Sequence, residues 1–268
     1  MNKKLCITAL IIASIAAMGG VALASEKKDG APEKKMMALE VGYFKPSLEF
    51  NAHYVLNGIG ARDVSFKKDL GVRNKNAPEY RLWLNDCLRL SYTEWDFKGS
   101  KTLGYDITWG GVVYQAGSSA AADLDVYYSR LTWLRPITRS QAIATDWLID
   151  IKVFSFDASI TGRDAGTGNT VTKRKQFRGV VPTIGFRLET NPGASRGVSF
   201  FSEISGLPLG KYGYFYDAEA GLKYQANKQF SVKAAYRVFD LNVKEKSSDG
   251  SKAQFKQSGP YFEIAYKF

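Results

Sequence analysis

The chain ends on an alternating stretch of eight residues, Tyr261-Phe262-Glu263-Ile264-Ala265-Tyr266-Lys267-Phe268. Successive side chains of a β-strand point to opposite faces, so every second residue shares a face. One face is therefore apolar or aromatic up to the last residue. A strand that faces lipid requires this alternation, whereas a soluble protein rarely ends on an exposed phenylalanine beside such a stripe. The stretch predicts the last strand of a membrane β-barrel, and the alternative is the final strand of a soluble β-sandwich.

The same stretch resembles the carboxy-terminal strand of bacterial outer-membrane β-barrels, which ends on phenylalanine with apolar residues at alternate positions before it. This resemblance implies that the barrel-assembly machinery recognises an assembly signal made of Phe262, Ile264, Tyr266 and Phe268.

The first 24 residues have the features of a cleaved secretory signal. Lys3 and Lys4 form a positive leader, an apolar run follows, and Ala22-Leu23-Ala24 is a small-residue site before Ser25. We therefore expect a signal peptide at 1–24, a polar charged linker at 25–36 and a barrel domain at 37–268. Export and the barrel pattern together predict location in the outer membrane, with outer-membrane lipid and lipopolysaccharide as surroundings.

The charge and the cysteine content of the mature chain limit its partners and its covalent cross-links. Without Lys3 and Lys4 the chain has 35 basic and 26 acidic residues, a formal net charge of +9. This charge would suit anionic surfaces such as lipopolysaccharide phosphates, but export argues against nucleic acid as a partner. Cys87 is the one cysteine left after cleavage, so a disulfide within the mature chain is excluded. The sequence leaves the oligomeric state open.

Alternation recurs along the whole chain, which predicts a closed barrel. The clearest case, residues 212–224, places Tyr214, Ala218 and Leu222 on one face and Asp217 and Glu219 on the other. No apolar run after the leader reaches the roughly 20 residues of a transmembrane helix. Every backbone polar group in lipid needs a partner, so a membrane-embedded sheet must close. Pro182 within one alternating segment predicts a β-bulge.

Counting back from Phe268 gives an all-β, closed antiparallel transmembrane barrel of ten strands. Short turns alternate with long polar connections, and the sequence predicts a long outer connection at 244–253 and a longer inner turn at 136–145. An even strand number keeps both termini on the periplasmic side. The first four wall strands are predicted at Leu39–Phe50, Glu79–Leu84, Leu88–Phe97 and Leu124–Leu134. If Val64–Leu70 and Tyr105–Gln115 also enter the wall, the count becomes twelve.

The polar faces of these strands predict a charged lumen. The candidate lumen-lining residues are Arg81, Arg187, Asp217, Glu219, Lys223, Lys233 and Arg237. Further inward charges are expected at Arg89, Asp125, Asp150, Lys152, Glu189, Glu263 and Lys267. Unpaired charges are costly to bury, so opposite signs must pair or contact water. We favour a salt-bridge-filled lumen because narrow barrels are filled by their side chains. The alternative is a narrow, porin-like channel for small anionic solutes, lined by the basic residues.

Candidate catalytic residues are few, and the sequence predicts no enzyme, cofactor or metal. His53 is the only histidine, which excludes a multi-histidine metal site. It resembles the loop or rim histidine of lipid A acyltransferases and deacylases, and Ser47, Asp63 and Ser65 are its neighbours in sequence. A lipid A-modifying barrel enzyme is therefore the second alternative. A Lys-Ser/Thr pair does not follow Gly110-Gly111 or Gly166-x-Gly168, so these glycines do not predict a phosphate site.

A broader resemblance covers most of the mature chain. It rests on Asp69-Leu70-Gly71 before Tyr80-Arg81-Leu82-Trp83-Leu84, on Leu88-Arg89-Leu90-Ser91-Tyr92 after a tight turn, and on Ser258-Gly259-Pro260-Tyr261. These motifs are similar to those of a family of small, functionally uncharacterised bacterial outer-membrane β-barrel proteins. The resemblance implies the architecture and brings no catalytic residues. We therefore expect a non-enzymatic barrel with a structural or interaction role.

Overall fold

The computed structural model describes residues 37–53, 55–56, 59–60, 63–192, 196–208, 210–244 and 252–268. The predicted signal peptide and charged linker lie outside these ranges. Within them, no helix is long and apolar enough to cross a membrane.

The described chain is almost entirely β-strand, with one short 3-10 helix at Gly210–Tyr212. The strands are β1 Ala38–Phe44, β2 Ser47–His53, β3 Val55–Leu56, β4 Ile59–Gly60, β5 Val64–Ser65, β6 Ala77–Trp83, β7 Leu88–Thr102, β8 Ile107–Trp109, β9 Val112–Tyr114, β10 Ser119–Arg139, β11 Ile143–Arg163, β12 Thr170–Thr190, β13 Gly197–Pro208, β14 Gly213–Gln225, β15 Phe230–Lys244 and β16 Lys252–Lys267.

Antiparallel pairing closes the wall into a barrel. The order is β1-β6-β7-β10-β11-β12-β13-β14-β15-β16, and β16 pairs back with β1. Strand β2 continues β1 along β16 in one register, since Phe44 lies opposite Tyr261 and Ser47 opposite Ser258. The two therefore form one wall strand, which Lys45-Pro46 interrupts. The prediction of ten strands is confirmed, and the alternative of twelve is wrong.

The two extra stretches fold over one end of the lumen instead of entering the wall. Strand β5 pairs with only two residues of β2, and β8 and β9 form a separate hairpin. Their apolar side chains are buried together, and Phe66 contacts Trp109 with ring centroids 5.4 Å apart. We call this set the mouth cap: Phe66, Leu70, Val72, Leu103, Ile107, Trp109 and Tyr114.

A glycine in β7 makes room for the mouth cap. The inner face of β7 has Phe97 and then Gly99, and the chain at residues 71–72 runs directly against this glycine. A Cβ atom on Gly99 would lie 2.3 Å from the backbone nitrogen of Val72. Any larger residue at position 99 would therefore displace the cap.

The two ends of the barrel differ in the length of their connections. At the end that carries Phe268, here the terminal end, the turns are short, as between Trp83 and Leu88 or between Gln225 and Phe230. The predicted turn at 136–145 shrinks to residues 140–142, because β10 and β11 run further than expected. At the opposite end, the mouth, β7 and β10 are joined through the β8–β9 hairpin. The predicted long connection at 244–253 lies mostly outside the described residues.

An apolar belt surrounds the outer face of the wall, where lipid would lie. Its exposed side chains come from β1, β6 and β10 to β16: Leu39, Val41, Tyr43, Tyr80, Trp133, Trp147, Ile149, Ile151, Val180, Ile184, Val198, Phe200, Ile204, Tyr214, Leu222, Tyr224, Tyr236, Phe262, Ile264, Tyr266 and Phe268. The four proposed assembly-signal residues are thus exposed members of this belt: Phe262, Ile264 and Tyr266 lie on β16, and Phe268 follows it directly.

Two local expectations are wrong. Asp125 faces outward, because the inward face of β10 carries Leu124, Val126 and Tyr128. The β11–β12 register also runs through Pro182 without a bulge. Pro182 lies beyond Ile184, the last β12 residue paired with β13, so it occupies a free strand edge where proline is tolerated.

Candidate functional site

The half of the lumen nearest the terminal end is filled by charged side chains. Ion pairs join six basic and seven acidic residues into one network, and Arg187, Glu189 and Lys223 form a separate triad. We call these sixteen residues the lumen charge cluster: Arg81, Arg89, Arg130, Lys152, Arg187, Lys223, Lys233, Arg237, Glu40, Glu79, Asp150, Glu189, Glu203, Asp217, Glu219 and Glu263. Eight positive and eight negative groups leave no formal net charge.

Asp217 on β14 contacts cations from three other strands. Its carboxylate accepts hydrogen bonds from Arg237 Nε at 3.1 Å and Nη2 at 3.0 Å. It also accepts one from the Tyr128 hydroxyl at 3.0 Å. Lys152 Nζ lies 3.6 Å away and Arg130 Nη1 3.7 Å away. Strands β10, β11, β14 and β15 are thereby linked across the lumen through one carboxylate.

Arg81 on β6 is a second centre of the cluster. Its guanidinium contacts Glu79 at 2.7 Å, Glu219 at 2.7 Å and Glu263 at 3.1 Å. Glu263 also pairs with Lys233, which contacts Glu40 at 3.3 Å. Since β6 lies on the far side of β1 from β16, these pairs link strands on both sides of the first wall strand.

The terminal end of the cluster combines ion pairs with an aromatic ring. Arg89 contacts Glu203 at 2.5 Å, and Glu189 pairs with both Arg187 and Lys223 at 2.7 Å. The guanidinium carbons of Arg89 and Arg187 lie 5.1 Å and 5.3 Å from the ring centre of Trp83. Cation–π attraction therefore adds to the ionic contacts at this end.

Pairing makes this burial tolerable. Lys152 is fully buried, and its ammonium group donates to Ser205 Oγ at 2.7 Å while lying 3.6 Å from both Asp150 and Asp217. A buried ion pair contributes little net stability compared with apolar packing, but the loss of one partner leaves a costly unpaired charge. The arrangement thus makes the packed lumen sensitive to any single missing charge.

All seven candidate lumen-lining residues lie within this cluster. Four members of the cluster were not predicted from the sequence: Glu40, Glu79, Arg130 and Glu203. Glu79 was detectable, because it alternates with Arg81 on β6. Arg130 was not predicted because Asp125 was expected to point inward, which assigns the opposite face of β10 to the lumen. The observed phase places Tyr128 and Arg130 inside.

An aromatic layer separates the charge cluster from the mouth. It consists of Tyr128, Phe154, Phe215 and Phe239, whose neighbouring rings lie 5.1–5.6 Å apart. Lys152 Nζ lies 4.6 Å from the centre of the Phe215 ring, and Tyr128 donates to Asp217, so layer and cluster are in direct contact. The lumen therefore changes from ionic to apolar along its axis.

A cavity of about 550 Å³ lies above the aromatic layer, at the mouth. Its lower wall contains Phe156 and Phe255, whose rings are 4.9 Å apart. Trp109 of the mouth cap closes one side. The remaining lining comes from strands β2, β11, β12, β15 and β16: Phe50, Ala52, His53, Ala158, Lys175, Gln176, Phe177, Leu241, Val243, Lys244, Lys252 and Ala253.

His53 lies at the edge of this cavity and contacts one of its sequence neighbours. Its Nδ1 is 2.7 Å from Asp63 Oδ1. The two serines bond to other groups: Ser47 Oγ accepts from Lys67 Nζ at 3.2 Å, and Ser65 Oγ accepts from the Lys68 amide at 3.4 Å. The structure thus forms a histidine–aspartate pair, and these two hydroxyls are engaged by lysine residues.

Cys87 lies at the terminal end of the barrel, in the turn before β7. Burial and the neighbouring Asp86 raise the pKa of the Cys87 thiol, which lies 3.0 Å from Asn85 Oδ1 in the turn before β7. A raised thiol pKa lowers the thiolate fraction near neutral pH. Within the described ranges, no group of three or more His, Cys, Asp or Glu residues is placed to hold a metal ion.

Comparison with known proteins identifies the fold. No protein-family model and no curated protein sequence matches the chain. Among solved structures, the outer membrane protease OmpT from Escherichia coli matches with a TM-score of 0.58 at 10% identity, covering 91% of this chain and 100% of that one. The transport unit of the autotransporter AIDA-I from Escherichia coli matches with a TM-score of 0.40 at 11% identity, over 95% and 96% of the two chains. At such identities the likeness to OmpT establishes an outer-membrane β-barrel fold and no activity.

Proposed function

We propose that the protein is an integral, non-enzymatic outer-membrane β-barrel with a sealed lumen, acting in a structural or interaction role. The observation that supports this most strongly is the lumen charge cluster. Sixteen charged side chains occupy the cross-section near the terminal end, with equal numbers of each sign, so water is not required to neutralise them.

Location in the outer membrane is part of this proposal. The exposed apolar belt would contact lipid, and the mouth would face outward, as long connections do in such barrels. Lipopolysaccharide is then the natural neighbour of the mouth. The barrel-assembly machinery would insert the chain through its last strand, where Phe262, Ile264, Tyr266 and Phe268 form the stripe expected of an assembly signal.

The aromatic layer supports a seal independently of the charges. A hydrated ion that entered from the mouth would meet buried aromatic rings before it reached the lumen charge cluster. Moving an ion into such a low-dielectric layer is costly unless it is paired. A porin-like channel would instead place its charges along a water-filled path.

Solute uptake by proteoliposomes tests the seal. Liposomes that contain the purified barrel should not swell faster than empty liposomes in isotonic solutions of a small sugar or a small organic anion. A matched variant, Arg81→Ala with Asp217→Ala, removes one cation and one anion and so keeps the cluster neutral. Because the aromatic layer is unchanged, liposomes with this variant should not swell faster either. Faster swelling with the wild type than with empty liposomes would contradict the proposal.

A further inference from the structure

The walls of the mouth cavity are suited to a hydrocarbon chain. Aromatic and aliphatic side chains supply most of the lining, among them Phe50, Trp109, Phe156, Leu241 and Phe255. A volume of about 550 Å³ is in the range of cavities that bind small organic molecules. Phe156 and Phe255 form its floor, and their rings lie 6.3 Å and 5.7 Å from Phe154 and Phe239 of the aromatic layer beneath.

The rim of the same cavity is basic. Lys175, Lys244 and Lys252 contribute to the lining, and each is partly or fully exposed. Among the described residues at this rim, Asp63 carries the acidic group, which lies 2.7 Å from His53 and 3.8 Å from Lys252 Nζ. Lys244 and Lys252 against this carboxylate leave the described part of the rim positive.

We propose that the mouth cavity binds an amphipathic anion, with its acyl chain among the aromatic side chains and its carboxylate or phosphate head at the lysine rim. An apolar floor and a cationic rim are complementary to a molecule with one oily and one negative end. Such a binding site depends on the barrel fold and the mouth cavity, and it does not depend on whether the lumen conducts.

Displacement of a fluorescent fatty acid measures this binding. The barrel is reconstituted in nanodiscs and titrated with dansyl-labelled undecanoate, with empty nanodiscs as the baseline for lipid partitioning. Unlabelled saturated carboxylates of increasing length then compete. Each added methylene that is buried should strengthen binding about fourfold until the cavity is filled.

Two variants separate the contributions of the chain and the head group. Ala253→Phe places a ring beside Ala52 in the cavity and should abolish displacement by both dodecanoate and dodecanol. Lys244→Gln with Lys252→Gln should weaken dodecanoate at least about fivefold and leave dodecanol nearly unchanged, since each exposed ion pair contributes modestly. Lys98→Gln with Lys228→Gln removes the same charge away from the cavity and should change neither affinity.

The displacement assay can either support or overturn the binding site. Specific displacement that is lost in Ala253→Phe supports the site, provided that this variant still migrates as a folded, heat-modifiable barrel. Dodecyl phosphate in place of dodecanoate then shows whether the head is a lipid phosphate or a free carboxylate. Absence of displacement in the wild type, or equal displacement in a folded Ala253→Phe variant, would overturn the proposal.

Discussion

Removing the Asp217 carboxylate should destabilise the barrel more than removing any exposed aspartate. In Asp217→Ala, Arg237 loses two hydrogen bonds of 3.1 Å and 3.0 Å, and Tyr128 loses its acceptor. The charge cluster is left with eight positive and seven negative groups, most of which are buried.

The expected cost follows from the contacts that remain. Breaking a buried ion pair by removing one partner costs about 3–5 kcal/mol. Arg237 keeps Glu79, and Arg130 keeps Asp150 and Glu203, so the lower end of the range applies. We therefore expect a loss of about 3 kcal/mol in the free energy of unfolding.

Two companion variants isolate the electrostatic cause. Asp123→Ala removes the same charge from the outer face of β10, where the carboxylate is 52% exposed and 3.8 Å from Lys98, so its cost should be at most about 1 kcal/mol. Combining Asp217→Ala with Lys152→Met restores neutrality and should recover at least about 1 kcal/mol.

Reversible urea unfolding in lipid vesicles, followed by tryptophan fluorescence, measures all three variants against the wild type. If Asp217→Ala and Asp123→Ala differ by less than about 0.5 kcal/mol, the scatter of ordinary surface substitutions, the charge cluster does not hold the wall together. A double variant less stable than Asp217→Ala would show that charge balance is not the cause.

Three other predictions concern the wall, the last strand and the turn before β7. Leu222→Arg should lower the free energy of unfolding by about 2–4 kcal/mol in the same assay, because Leu222 is 56% exposed in the apolar belt. Ala116→Arg, in a mouth connection, should change it hardly at all. Equal costs for the two variants would mean that the belt does not face lipid. Deletion of Phe268 should slow assembly and expose the chain to periplasmic proteases, as pulse-chase with heat-modifiable migration measures, and unchanged assembly would exclude its role as a signal. Maleimide should alkylate Cys87 more slowly at pH 7 than it alkylates a model thiol, because the raised thiol pKa lowers the thiolate fraction. The rate should rise toward alkaline pH. A rate at pH 7 equal to that of the model thiol would contradict the burial of this group.

The wall was predictable because two-residue periodicity is a local property of the sequence. Alternation around Leu222 and along Phe262 to Phe268 assigned the faces of β14 and β16. Counting strands back from Phe268 gave ten, but parity alone also allowed twelve. The phase of β10 was not predictable from its charges. The outer face of a wall strand meets water beyond the apolar belt, so an aspartate is tolerated there as well as in the lumen. The charge of Asp125 therefore does not show which face of β10 points inward.

The mouth cavity depends on contacts between segments that are distant in sequence. Trp109 lies in a hairpin that the alternation pattern could not distinguish from a wall strand. Its position over the lumen depends on Phe66 and on the space that Gly99 leaves for residues 71–72. His53 and Asp63 are brought together by the pairing of β2 with β5, for which their spacing gives no signal. Tertiary packing decided each of these placements.

Single-channel recording in planar lipid bilayers tests the sealed lumen most directly. We predict negligible conductance for the wild type, because ion pairs fill the lumen near the terminal end and packed aromatic rings lie between them and the mouth. A stable wild-type conductance with a preference for anions, shifting toward cations in a Lys233→Ala and Arg237→Ala double variant, would contradict the seal and make the protein a channel.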